Sequence, residues 1–151
     1  MAKFIYKMQS ILNIKEKLKE QARNEFAAAK IALDEENDAL LAIKNRKAEY
    51  EEQGRALRSD AINIRDLADN KYALERMDEY IRLQEQRVIK AEKNLERARE
   101  KLTLAMQEAE VQNRLREKAF EEFKKELIAQ ESKEVDELTS YTYGQRAMKE
   151  S

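Results

Sequence analysis

From Met8 to Tyr50, apolar side chains recur at alternating steps of three and four residues. The positions are Met8, Ile11, Lys15, Leu18, Ala22, Phe26, Ala29, Leu33, Glu36, Leu40, Ile43, Lys47 and Tyr50. This spacing puts one stripe along a helix and makes it the seam of a coiled coil. Lys15, Glu36 and Lys47 interrupt the stripe, but their aliphatic stems can line a seam while the charged heads reach water. Two consecutive steps of four at Ala22 predict a stutter, which locally unwinds the supercoil. A second series runs through Leu67, Lys71, Leu74, Met77, Ile81, Gln84, Val88, Ala91, Leu95, Ala98, Leu102, Ala105, Ala109, Gln112 and Leu115, with a 3-3 step at Leu74. Beyond it Phe120, Phe123, Leu127, Val135, Leu138 and Tyr141 keep a looser stripe.

Between the two series the chain relaxes. It has no proline and only two glycines, and one of these, Gly54, falls here. Glycine costs a helix interior about 1 kcal/mol relative to alanine. Ser59-Asp60 offers turn chemistry, and Asn63 stands three residues before Asp66 as a helix N-cap. The spacing predicts a first helix over about 4–57, a turn over about 58–63, a second helix over about 64–140 and a mobile tail over about 141–151 containing Gly144. A link this short makes the helices antiparallel neighbours. The predicted fold is all-α: a long antiparallel two-helix coiled-coil hairpin whose second helix is longer than the first. At 1.5 Å per residue the arms would reach roughly 75 and 115 Å. The second would overhang with Phe120, Phe123, Leu127 and Leu138 partly uncovered, a stripe that marks either a partner site or self-association.

Charge and composition exclude several functions. The 30 basic and 31 acidic residues leave a net charge of −1, without the basic excess that phosphate binding needs. Within residues 1–20, Lys3, Lys7, Lys15, Lys17 and Lys19 outnumber Glu16 and Glu20. That patch suits an acidic partner or a solvated helix face. Histidine and cysteine are absent, which removes histidine acid–base chemistry, thiolate chemistry and the usual zinc sets. Two glycines cannot build a phosphate loop, and a two-helix rod has no pocket in which catalytic groups converge. The expectation is a non-enzymatic protein with no cofactor and no metal. No signal peptide is legible at the N-terminus, and no apolar run approaches the roughly 20 residues of a membrane span. A soluble, cytosolic chain follows as the expectation. On the outer faces Glu51–Arg55, Asp78–Arg82, Glu110–Arg114 and Glu121–Lys125 stand at i,i+4. Tyr50 belongs to the seam. Tyr72 and Tyr80 lie off it, on a surface suited to partners.

The two ends carry a resemblance. Residues 3–23, KFIYKMQSILNIKEKLKEQAR, place Phe4, Met8-Gln9, Leu12 and Lys15-Glu16 in the order with which the flagellar export protein FliJ family opens. Residues 117–138, EKAFEEFKKELIAQESKEVDEL, are similar to its C-terminal segment through Phe123, Glu131, Lys133-Glu134 and Asp136-Glu137. The resemblance implies an antiparallel coiled coil similar to the central stalk of rotary ATPases. It implies that the paired terminal end enters the ring of the flagellar type III export ATPase and promotes its assembly and action. It further implies a contact with the cytoplasmic domain of the export gate membrane protein toward the hairpin, a role with export chaperones, and a place at the basal body beside the inner membrane. Carried over, the ATPase end would be Phe4, Ile5, Met8, Phe120, Phe123 and Leu127. The gate surface would be Ile43, Tyr50, Met77 and Tyr80. Arg46 stands where the family has a second aromatic one turn before Tyr50.

Two rivals share the alphabet of charged helix: an adaptor coiled coil with another partner, and the equivalent stalk of a virulence secretion system. The stalk reading expects a monomer. The same heptads also fit a parallel dimer of bent chains, against which the short link near Ser59 speaks.

Overall fold

The computed structural model describes residues 2–59 and 61–150. Two helices make the fold, α1 over Gln9–Ser59 and α2 over Ile64–Glu150. Among the described residues there is no strand. The fold is thus the all-α hairpin that the two apolar series predict, with the second helix the longer.

Local chemistry sets the ends of the helices. Asn63 caps α2: its Oδ1 accepts from the backbone N–H of Arg65 at 3.0 Å and of Asp66 at 3.4 Å. Those are donors that a helix start otherwise leaves unsatisfied. Ser59 Oγ donates to the Ala56 carbonyl at 2.8 Å where α1 stops. Asp60, the other half of the expected turn pair, lies outside the described residues. At the N-terminus α1 begins at Gln9, later than the spacing predicts. Residues 2–8 leave the helix, and Phe4 instead packs on α2. At the far end α2 continues through Gly144 to Glu150 instead of stopping near residue 140. One glycine costs about 1 kcal/mol and does not outweigh the helix formers around it. Local bonds accompany the extension: Thr142 Oγ1 donates to the Leu138 carbonyl at 2.9 Å, and Gln145 Nε2 to Tyr141 Oη at 2.7 Å.

The chain packs as two compact units. The hairpin unit is Glu20–Leu104 and the terminal unit is Met1–Lys19 with Ala105–Ser151. Within the hairpin unit the cross-helix contacts run antiparallel: Lys47 to Asp78 at 2.7 Å, Glu36 to Gln84, and Glu25 to Lys101 at 2.8 Å. The terminal unit shows the same sense, with Lys15 to Glu108 at 2.9 Å and Gln9 to Arg116 at 3.1 Å.

Burial corrects the seam in both helices. In α1 a covered stripe runs through Leu12, Lys15, Lys19, Ala22, Phe26, Ala29, Leu33, Glu36, Leu40, Ile43, Lys47, Tyr50, Gly54 and Leu57, with Gln9, Glu16 and Glu25 half-buried beside it. The steps alternate three and four throughout, and there is no stutter at Ala22. Ile11 and Leu18 lie off the seam, 37% and 44% exposed, and so does Leu115 of α2 at 48%. In α2 the seam takes Asn70, 9% exposed, in place of Lys71, and the 3-3 step disappears. An unbroken heptad keeps the stripe turned toward the partner helix. That geometric demand outweighs the apolar character of Ile11 and Leu18. Lys19 fits by laying its stem along the seam while its ammonium pairs with Glu16 at 2.7 Å.

Gly54 is a seam residue, not a breaker. It sits buried inside α1, without a positive φ. Asn70 fills the space: its Nδ2 donates to the Tyr50 carbonyl at 2.8 Å, while its Oδ1 would stand 2.7 Å from a Cβ on residue 54. Glycine is therefore required for the close approach of Asn70. Gly54→Ala should gain about 1 kcal/mol in helix propensity and lose about 2 kcal/mol by displacing the Asn70 amide. The net expectation is a destabilised hairpin. In an Asn70→Ala background the same substitution should stabilise by about 1 kcal/mol. Urea unfolding of the four variants checks the sign reversal, and two destabilising Gly54→Ala steps would disprove the packing role.

Surface ion pairs differ from the i,i+4 expectation. Glu110–Arg114 forms at 2.6 Å. Arg55 turns to Glu52, Arg82 to Glu79 and Lys124 to Glu121, all at i,i+3. Asp78 is drawn across the seam by Lys47. Exposed pairs of this kind each contribute little. The Lys101 hydrogen bond nevertheless holds the Glu25 carboxyl below the usual carboxylate range. The stability it adds is present above the ordinary carboxylate pKa and is lost as pH falls through the lowered one.

Candidate functional site

Two surfaces collect side chains suited to binding, one in each unit. In the terminal unit the non-helical segment before α1 turns Phe4 onto α2. Its ring meets Phe120 edge-on at 5.1 Å and Phe123 at 5.5 Å. The Arg116 guanidinium lies 5.6 Å from the Phe4 centroid, and Lys124 Nζ 4.9 Å from that of Phe120. Edge-on rings and cations over ring faces add to simple area burial. Phe4, Ile5, Tyr6, Ala119 and Phe123 line a shallow groove beside the cluster.

Of the six residues expected at this end, the structure brings Phe4, Phe120 and Phe123 together. Ile5 and Met8 are exposed at 77% and 43%, and Leu127 is half-buried on α2. The same unit carries Ile11, Ile14 and Leu18 on α1 and Val111 and Leu115 on α2, all exposed. The legible signal for these is register: on an unbroken heptad, Ile11 and Leu18 fall one position before the seam.

In the hairpin unit the four expected gate residues separate. Met77 is buried, Ile43 and Tyr50 are half-buried in the seam, and only Tyr80 is exposed. Tyr80 stands in a set with Tyr72 and Arg76. The Arg76 guanidinium donates to Tyr72 Oη at 3.0 Å and to Tyr80 Oη at 2.9 Å, and lies 5.7 Å from each ring centroid. The bonds to Tyr80 and then Tyr72 hold the guanidinium more firmly in its charged form. The sequence signal is Tyr-x-x-x-Arg-x-x-x-Tyr, which stacks the three on one helix face. Tyrosine and arginine held in place are typical anchors of protein interfaces.

Among the described residues no cluster of acidic side chains is arranged to hold a metal ion, and no helix is long and apolar enough to cross a membrane. A search of curated protein sequences returns no match. A solved structure from Chlamydia trachomatis, described as a YscO homolog, has the same fold: TM-score 0.69 and 24% identity, covering 97% of this chain and 99% of that one. The sequence profile of the flagellar FliJ protein matches residues 4–148, so the match reaches from the Phe4 cluster, through both helices, to the last turn of α2. This chain therefore belongs to the flagellar FliJ family, the non-enzymatic coiled-coil proteins of the type III export machinery.

Proposed function

We propose that this protein is the stalk of a flagellar export ATPase. Its terminal unit enters the pore of the ATPase ring and promotes ring assembly and activity, and its hairpin unit meets the cytoplasmic domain of the export gate protein. The observation that carries the reading is the Phe4–Phe120–Phe123 cluster, which ties the segment before α1 to α2 and leaves Phe120 40% exposed. A ring pore presents repeated grooves to whatever enters it, and a ring face with Ile5 and Met8 beside it offers apolar contact without deep burial in the free protein. Lys124 and Arg116 around the rings add cations for acidic groups on the pore wall.

On the gate side the contact residues are Tyr80 with Tyr72 and Arg76, while Ile43, Tyr50 and Met77 shape that face from within the seam. The protein works in the cytoplasm at the basal body and takes part in handling export chaperones. Arg76→Ala with Tyr80→Ala should weaken binding to the purified cytoplasmic domain of the cognate gate protein about tenfold, roughly 1.4 kcal/mol. Phe120→Ala should leave that affinity unchanged. Isothermal titration decides the gate assignment, and equal affinity for all the proteins would remove it.

A further inference from the structure

In the hairpin unit one outer face of α2 is basic. Beyond Tyr80 that face continues through Leu83 to Arg87, Lys90, Lys93 and Arg97, at steps of three and four residues, all exposed. Neighbours at these steps lie together on a helix surface. From Tyr72 to Arg97 the stripe is roughly 38 Å long at 1.5 Å per residue. The acids of the same span stand elsewhere. At 100° per residue, Asp78, Glu85, Glu92 and Glu96 lie about 160–180° around the helix from Arg76. Glu75 and Glu79 flank the stripe, and Glu79 is taken by Arg82 at 2.6 Å.

The cations of the stripe are not neutralised. Arg82 pairs with Glu79 and Arg99 with Glu96, in each case with the acid three residues before. Before Arg87, Lys90, Lys93 and Arg97 the positions three and four residues back hold no acid. Among the described residues these four make no ion pair, within α2 or across to α1. Like charges at such steps destabilise a helix, so the ladder works against the free chain. Arg76 adds aimed donors. Its guanidinium gives one N–H to each of Tyr72 and Tyr80 and keeps three of its five. Each hydroxyl oxygen accepts that bond, which leaves its own proton to be donated outward. Guanidinium and both hydroxyls thus present donors to one anionic group.

We propose that the α2 stripe from Tyr72 to Arg97 docks an acidic segment of a partner protein. One carboxylate sits on Arg76 between the two tyrosines, and others sit on Arg87, Lys90, Lys93 and Arg97. This supplies the chemistry of the partner at the gate contact, and it rests on the gate reading only in assigning the segment to the gate protein. Carboxylates three and four residues apart on a helix match the spacing of these cations. The acids on the far side hold the whole chain at −1, so the field that gathers a polyphosphate is missing. A short acidic segment meets the stripe alone.

NMR of the isotope-labelled full chain at low salt, titrated with deca-glutamate, tests this. The Nε–H signals of Arg76, Arg87 and Arg97 should move, while those of Arg23, Arg58 and Arg99 stay. Arg87→Gln with Lys90→Gln and Lys93→Gln should weaken binding about tenfold. Glu85→Gln with Glu92→Gln, on the far side, should change it less than about twofold. Both variants should keep their helicity by circular dichroism. Shifts spread over all the arginines would overturn the proposal. So would a triple variant that binds like the wild type, or decathymidylate binding as tightly as deca-glutamate. The cognate gate domain separates the two readings. If it fails to bind while deca-glutamate moves the three arginines, the stripe stands and the gate reading falls. If it binds the wild type and the triple variant equally, the gate contact stands at the tyrosines and the stripe falls.

Discussion

Leu12→Ala should lower the stability of the protein by about 3 kcal/mol, while Leu18→Ala should cost less than about 1 kcal/mol. The two leucines are six residues apart on one helix, and the apolar reading of the sequence favours Leu18 as the seam residue. Burial reverses that ranking: Leu12 is 5% exposed and Leu18 44%. Truncating a buried leucine forfeits its transfer free energy and leaves a cavity that packing closes only in part. Truncating a half-exposed one forfeits part of the first term and little of the second. Urea titration with an unchanged m-value gives both numbers. Equal losses, or a larger loss at Leu18, would restore the stutter at Ala22 and the seam through Ile11.

That contrast shows what was legible in the sequence. The helical class, the hairpin link and the Asn63 cap follow from proline absence, heptad stepping and side-chain chemistry, all local and strong. The seam register over residues 8–19 and 67–74 was not. There the apolar residues compete with Lys19 and Asn70, and the periodicity of the pairing, a property of two helices together, decides. Asn70 could be placed only with the facing helix in view, because its partners are the Tyr50 carbonyl and the empty side of Gly54. Gly54 looked like a weak point for the same reason. The aromatic cluster is partly legible: Phe120 and Phe123 lie on the overhanging apolar stripe, the family resemblance adds Phe4, and the structure joins the three. The Tyr72–Arg76–Tyr80 set was visible as spacing, but its assembly depends on one arginine reaching both hydroxyls.

The export reading rests on the terminal unit, where the second large effect is expected. Phe120 and Phe123 each meet Phe4, and Phe120 keeps much of its surface in solvent. Replacing both by alanine removes two ring contacts, each worth about 1 kcal/mol beyond area, and frees the segment before α1. The pairing of α1 with α2 through Lys15–Glu108 and Glu16–Asn113 does not involve them. The variant should therefore keep its helicity while losing the surface offered to a ring.

ATP hydrolysis by the cognate flagellar export ATPase, measured with this protein and with its Phe120→Ala/Phe123→Ala variant, tests the central claim most directly. The stalk account predicts stimulation by the wild type, a loss of about tenfold or more in the concentration dependence for the double variant, and full stimulation by a Tyr80→Ala control. Absence of stimulation and of co-sedimentation with the ring, or equal stimulation by the double variant, would contradict it.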